Sequence, residues 1–268
     1  MRQRSPSLAL VVLLLGSAAT ASPAAVAAQP FEAEYAIRWA GIEVGRFQTE
    51  LNREADRYRL SYEVTTAGPL RWITDFRSSG WAAGQITPTG VQAEHFEGQS
   101  DWGEGERFWR VSFDPAGHVT SHELDPESKA DREPVPEALM QGPDPLSLAI
   151  QAMLEAAVDA PFEGQMYDGK RAISVSLSCA VAQLPITLAA LGATPLNALV
   201  CEGDGERLAG RSKRWSDEAD EQVRDRRPAT IWLAPEMGGL PYWPVRIEAS
   251  ARFGTVTIEL DSISDPAT

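Results

Sequence analysis

Two cysteines, three histidines and a surplus of carboxylates are the side chains from which this 268-residue chain could build chemistry. Cys179 and Cys201 are not in a C-x-x-C redox motif, and no histidine stands near either at the spacing a zinc site needs. His118 and His122 are four apart, which on a helix would put both on one face for a metal. Pro115 and Gly117 precede them and Val119-Thr120 separates them, so they read as strand residues. Four strand steps span about 13 Å, too far for two ligands of one zinc. His95 stands alone on a strand. A serine hydrolase needs an elbow such as G-x-S-x-G and a histidine partner, and residues 29–268 contain no such elbow. Asp217, Glu218, Asp220 and Glu221 lack the spacing and glycine of an EF-hand, and Arg224, Arg226 and Arg227 sit close enough to neutralise them. They read as a solvated charged face. No catalytic set, metal or cofactor is expected from these residues.

The aromatic residues are the other notable set: Trp72, Trp81, Trp102, Trp109, Trp232, Tyr242 and Trp243. Core packing and strand propensity explain them in the plainest way. In a sharper reading, some line an apolar cleft together with one face of a helix, Leu139, Leu146, Ile150, Met153 and Leu154. The residues that would touch a ligand there are Trp72, Trp81, Trp109, Leu146, Ile150, Met153, Leu154, Trp232, Tyr242 and Trp243.

The elements that must position these side chains are mostly strands. Phe31, Ala33, Tyr35, Ile37 and Trp39 alternate with polar residues, as in a half-buried strand. A second strand runs from Ile42 to Leu51, and its apolar parity slips at Gly45, the mark of a β-bulge. Tyr58 to Val64 makes a third. The pattern continues less cleanly over Trp72–Trp81 and Val91–Phe96, and it sharpens at Trp109, Val111 and Phe113. Asp114-Pro115-Ala116-Gly117 is a turn, with a return strand from His118. Residues 125–142 read as a loop.

One helix interrupts the series. Asp144 can cap it, Pro145 suits its first position and Ser147 offers a second cap. Leu146, Ile150, Met153, Leu154 and Ala157 recur at helical spacing, and Pro161 ends it. Beyond it, Asp168-Gly169 is a hairpin signal. Ile173 to Val181 alternates with Cys179 facing inward, and Leu199 and Cys201 share parity on a later strand. Residues 206–227 read as a charged hairpin excursion. Val245 to Ala251 and Val256 to Leu260 form a closing pair around Phe253-Gly254.

Twelve to fourteen strands with one amphipathic helix and no βαβ alternation predict an all-β, mainly antiparallel fold. Its expected form is a curled open barrel or half-barrel with the helix packed on or in it. An outer-membrane barrel is the competing form, but long charged excursions and the helix fit it poorly. No linker divides residues 29–268, so one β-rich domain is expected.

Arg2 and Arg4 precede the apolar run Leu8–Leu15 and a small-residue stretch through Ala28. That is the pattern of a secretory signal peptide over residues 1–28, cut after Ala21 or Ala28. The run is too short to cross a bilayer, and no later stretch is long and apolar enough, so an integral membrane protein is not expected. In an oxidising compartment Cys179 and Cys201 would bond. The net charge of −14 argues against a nucleic-acid partner and against anionic membrane surfaces.

The chain also resembles an exported proteobacterial family known as domain of unknown function 3108. Tyr35-Ala36-Ile37 through Gly41-Ile42-Glu43-Val44-Gly45 resembles its opening hairpin, and Asp144-Pro145-Leu146-Ser147 its helix start. Tyr167-Asp168-Gly169-Lys170-Arg171 is similar to its aromatic-Asp-Gly-basic turn. Pro244-Val245-Arg246-Ile247 and Phe253-Gly254-Thr255-Val256 resemble its closing strands, and Val200-Cys201-Glu202-Gly203 with Leu208-Ala209-Gly210 its late cysteine region. A family cysteine ahead of the Asp-Gly turn is replaced here by Phe162-Glu163-Gly164, which leaves Cys179 for that partner's role. The resemblance implies an envelope protein of unknown activity and supplies no catalytic residues.

Three readings follow. The first is a periplasmic, non-enzymatic protein that binds a lipid or a lipoprotein acyl chain in envelope maintenance. The second is a structural module whose partner is another envelope protein, with no small ligand. The third and weakest is a hydrolase of cell-wall or lipid material.

Overall fold

The computed structural model describes residues 30–103, 105–184, 197–213, 228–251 and 254–264. The signal-peptide reading, the carboxylates from Asp217 to Glu221 and the turn residue Phe253 lie outside them. Alternation of apolar and polar residues gives thirteen antiparallel strands among the described residues. The first arm holds β1 (Phe31–Trp39), β2 (Ile42–Glu54), β3 (Arg57–Thr66), β4 (Arg77–Thr87), β5 (Gly90–Asp101), β6 (Glu106–Phe113) and β7 (Val119–Leu124). After two short helical segments and a longer helix come β8 (Phe162–Tyr167), β9 (Ala172–Gln183), β10 (Asn197–Ala209), β11 (Ala229–Met237), β12 (Leu240–Ala251) and β13 (Gly254–Ser264).

All thirteen belong to one sheet, ordered β7-β6-β5-β4-β3-β2-β1-β13-β12-β11-β10-β9-β8. Two local meanders are thus joined in the middle by β1 pairing with β13, with Glu32 opposite Ser264. The ladder does not close on itself; β7 and β8 are its two edges. This is the curled open sheet that the alternation predicts.

The Gly45 slip is a real bulge. Ile37 pairs with Gly45 and Arg38 with Glu43, leaving Val44 as the extra residue. A second irregularity, between Glu34 and Tyr35, leaves Asp261 of β13 as the extra residue. Phe31, Ala33 and Tyr35 are buried while Trp39 is 41% exposed, so the single inward face expected for the whole strand holds only for its first half.

Asp144 caps the helix α2 (Pro145–Glu155), accepting from the amides of Leu146 and Ser147, with Pro145 in the first turn. The helix ends at Glu155, before Ala157, and its cap residue Ala156 is non-helical. Ser147 is not a second cap: its hydroxyl donates to Asp144 and accepts from Tyr58.

Two further expectations fail locally. Trp72–Trp81 is not one strand, because Pro69 fixes a 3-10 turn over Gly68–Trp72 and β4 starts only at Arg77. Residues 125–142 are not all loop. Asp125 and Pro126 repeat the cap-and-proline signal of Asp144-Pro145 and start the short helix α1 (Pro126–Ala130), and a second 3-10 turn covers Glu137–Leu139. Of the charged excursion, residues 206–209 continue β10.

Candidate functional site

The concave side of the curl is filled by α2, which touches β4 and β5 on one arm and β8 and β12 on the other. Ile150 and Met153 enter the main apolar cluster with Tyr35, Leu60, Trp243 and Val245, while Leu148 packs with Phe162 and Leu177. Leu146 contacts both the main cluster and a second one around Val111, Phe113 and Tyr167. The helix is a wedge between two walls, and Ile150 is wholly buried.

Two polar links fix that wedge and the middle of the sheet. Tyr58 on β3 donates to Ser147 at 2.6 Å, and Ser147 donates in turn to Asp144, a chain that pins the helix start to the first arm. Asp144 is fully buried, and desolvation raises its carboxyl to about 6 despite the bonds from Ser147 and Leu146. On the β1–β12 side, Trp243 Nε1 donates to the Tyr35 hydroxyl at 2.6 Å, which donates to the Pro244 carbonyl at 2.8 Å. Phe31 packs edge-on against Trp243.

The open seam is closed by side chains. The β8–β9 tip reaches across to β6, where the Lys170 ammonium lies 3.5 Å from the centre of the Trp109 ring. Gly169, at φ +85°, lets the turn lie against Val111 and Trp109, where a Cβ would come within 3.1 Å of Val111. Asp168 accepts from the amides of Lys170 and Arg171 and from the Arg171 guanidinium, which holds the turn rigid. Behind α1, the Glu133 amide donates to Arg211 and the Lys213 amide to Asp131, a second stitch between the arms. The sequence carried the turn in Asp168-Gly169, but nothing local in it says which strand the tip meets.

The structure thus gathers Leu146, Ile150, Met153, Leu154 and Trp243 around one cluster, with Trp232 half-buried at its border under Arg246. Trp109 lies on the neighbouring cluster, and Leu139 packs beside it. Tyr242 belongs elsewhere, with Cys201, Leu199 and Leu233. Trp81 is on the opposite sheet face from the buried Ala82, with Arg59 over its ring, His95 beside it and its Nε1 donating to Glu97. Trp72 is 90% exposed in the 3-10 turn. At this point of β4 the small residue Ala82, and not the large Trp81, faces inward.

Cys179 and Cys201 form a disulfide between directly facing residues of β9 and β10. Cys201 is wholly buried. Val158, in the segment that leaves α2, bridges to Cys179, so the bond lies where the helix exit meets the sheet.

No arrangement for turnover emerges among the described residues. Ser112, His95 and Glu97 form a contact series at 3.4 and 3.2 Å. Partial burial would raise the Glu97 carboxyl, but bonds from His95, Trp81 and Arg110 hold it below the usual range. The series lies across the paired strands β5 and β6, with His95 directly opposite Ser112. His118 is exposed beside Asp114, and His122 is exposed near Tyr167. A shallow recess of about 500 Å³ near β8–β10 is lined by Glu163, Asp204, Glu206 and two serines, and includes no histidine. No group of three or more metal-ligating side chains occurs among the described residues, and no described helix is long and apolar enough to cross a membrane.

The family model described as "Protein of unknown function (DUF3108)" matches residues 34–261. No curated protein matches the chain. Among solved structures, it is similar to the crystal structure of a beta-barrel-like protein of domain of unknown function DUF1849 from Brucella abortus. The two are 9% identical with a TM-score of 0.48, over 89% of this chain and 99% of that one.

Proposed function

The chain belongs to the DUF3108 family, and from that premise we propose that it is a periplasmic, non-enzymatic binding protein. Its ligand is an apolar or amphipathic envelope component, a lipid or a lipoprotein acyl chain, held between the curled sheet and α2. One observation carries this reading. The apolar concave wall is completed by a single helix wedge, and the two arms beside it are joined by side chains and a few stitches rather than by a ladder between β7 and β8. A wedge seated by contacts can yield its place to an acyl chain at a lower cost than a strand held by a continuous ladder. Leu146, Ile150, Met153, Leu154 and Trp243 would form the contact surface, with Trp109 and Trp232 at its borders. The disulfide supports a compartment outside the cytoplasm, and residues 29–268 act as one unit.

Native mass spectrometry of the full chain purified from its own host tests the proposal. A retained lipid mass that is lost on denaturation is expected. A clean protein mass that stays clean after incubation with fatty acid and with phospholipid would overturn it and favour an envelope-protein partner instead.

A further inference from the structure

The end of the sheet that carries the β1–β2, β3–β4 and β5–β6 connections is apolar at its tips. Five of the nine large hydrophobic side chains exposed among the described residues lie there: Trp39, Ile42, Trp72, Ile73 and Trp102. Their grouping follows from the topology. Trp39 and Ile42 flank the first turn, and the 3-10 turn carrying Trp72 docks beside the start of β2, with the Ala67 amide donating to Val44. Trp102 follows β5, whose Asp101 faces Arg77 at the start of β4. Phe76 packs on Trp102 with ring centres 4.2 Å apart.

From this rim we infer that the protein docks peripherally on a phospholipid bilayer, with the hairpin tips inserted at the headgroup–acyl boundary. Three facts select that occupant. The apolar groups stand on separate tips spread over six adjacent strands, about 25 Å at the usual strand spacing, which suits a planar boundary better than a peptide groove. Three of the five are indoles, whose apolar body and N–H favour the membrane interface over either bulk phase. Arg71 and Arg77 bracket the tip that carries Trp72 and Ile73, are exposed and make no ion pair with a described residue, and with the exposed Asp75 between them they leave that tip one net positive charge to offer lipid phosphate. Phe31 and Ser264, the outer limits of the first and last described strands, lie at the other end of the sheet.

The docking rests on indole insertion rather than on charge, because the chain as a whole is acidic. It concerns a different face from the concave interior. Flotation of the full chain with phosphatidylcholine vesicles tests it, alongside a Trp72→Ser/Ile73→Ser/Trp102→Ser variant and a Val181→Ser control at an exposed apolar site elsewhere. The wild type and control should float, and the triple variant should partition at least tenfold less at unchanged melting temperature. Brominated acyl chains should quench wild-type tryptophan emission more than that of the variant. A wild type that stays in the soluble fraction, or a triple variant that floats equally well, would overturn the docking. So would a dimer in sedimentation that the triple substitution dissolves, since the rim would then be covered by a second copy.

Discussion

Lys170 sits over the indole of Trp109, 3.5 Å from the ring centre, although the two belong to opposite arms of the sheet. A cation over an aromatic face is the kind of contact that can hold a seam where no ladder exists. Around it, Gly169 lies against Val111 and Tyr167 joins the cluster of Val111 and Phe113.

Burial pushes the Lys170 ammonium down to about 8, with Asp168 and Asp125 opposing and Arg132 and Arg171 adding to the shift. Between that value and the ordinary 10.5, the unfolded chain holds the proton more tightly than the folded one. Stability from this group therefore rises with pH over that window. The melting temperature of the wild type relative to Lys170→Met should increase from pH 8 to pH 10. A difference that stays flat would mean that the ammonium is not desolvated at the seam.

Asp144 gives the opposite slope. Its folded value near 6 lies above the ordinary 3.8, so its contribution is fully present below about pH 4 and is lost as pH rises through 6. The stability of the wild type minus that of Asp144→Asn, an isosteric cap that cannot ionise, should fall by about 2 kcal/mol between pH 4 and pH 7. Urea unfolding at four pH values would read this out.

Replacing both cysteines by serine should cost about 3 kcal/mol, the chain-entropy value for a loop of this size, at a sequence separation of 22. Urea midpoints of the oxidised protein and the double variant would show it.

Ile150→Ala removes a wholly buried side chain from the wedge and should destabilise by about 2–5 kcal/mol. Ala149→Lys, on the exposed side of the same helix, should stay within about 0.5 kcal/mol. Equal effects of the two in chemical denaturation would show that α2 is not packed in the curl.

Much of this architecture is legible in the residue order because the information is local. Period-two alternation marks the strands, the parity slip at Gly45 marks a bulge, Asp144-Pro145 marks a helix start, and two cysteines of matching parity mark a bond. Misreadings came where one local signal masked another. Trp72-Ile73 looks like the start of a strand, yet Gly68-Pro69 dictates a tight turn first. Asp125-Pro126 had the same cap chemistry as Asp144-Pro145, but the charge around it resembled a loop. The candidate site was half legible: helical spacing identifies Ile150 and Met153, whereas Tyr58 meeting Ser147, or Lys170 meeting Trp109, depends on strand order, which no window of sequence encodes.

Because β1 is laid against β13, the centre of the sheet is sewn from the first and the last of the described strands. Each arm is a chain of neighbouring hairpins that can form as soon as its own residues are free, but bringing Glu32 to Ser264 requires closing a loop of 232 residues (264 − 32). The midline should therefore be the last row of hydrogen bonds to be made. Until then, β1 offers a bare edge with Phe31, Ala33 and Tyr35 unsheltered, a vulnerable interval in the life of a nascent molecule.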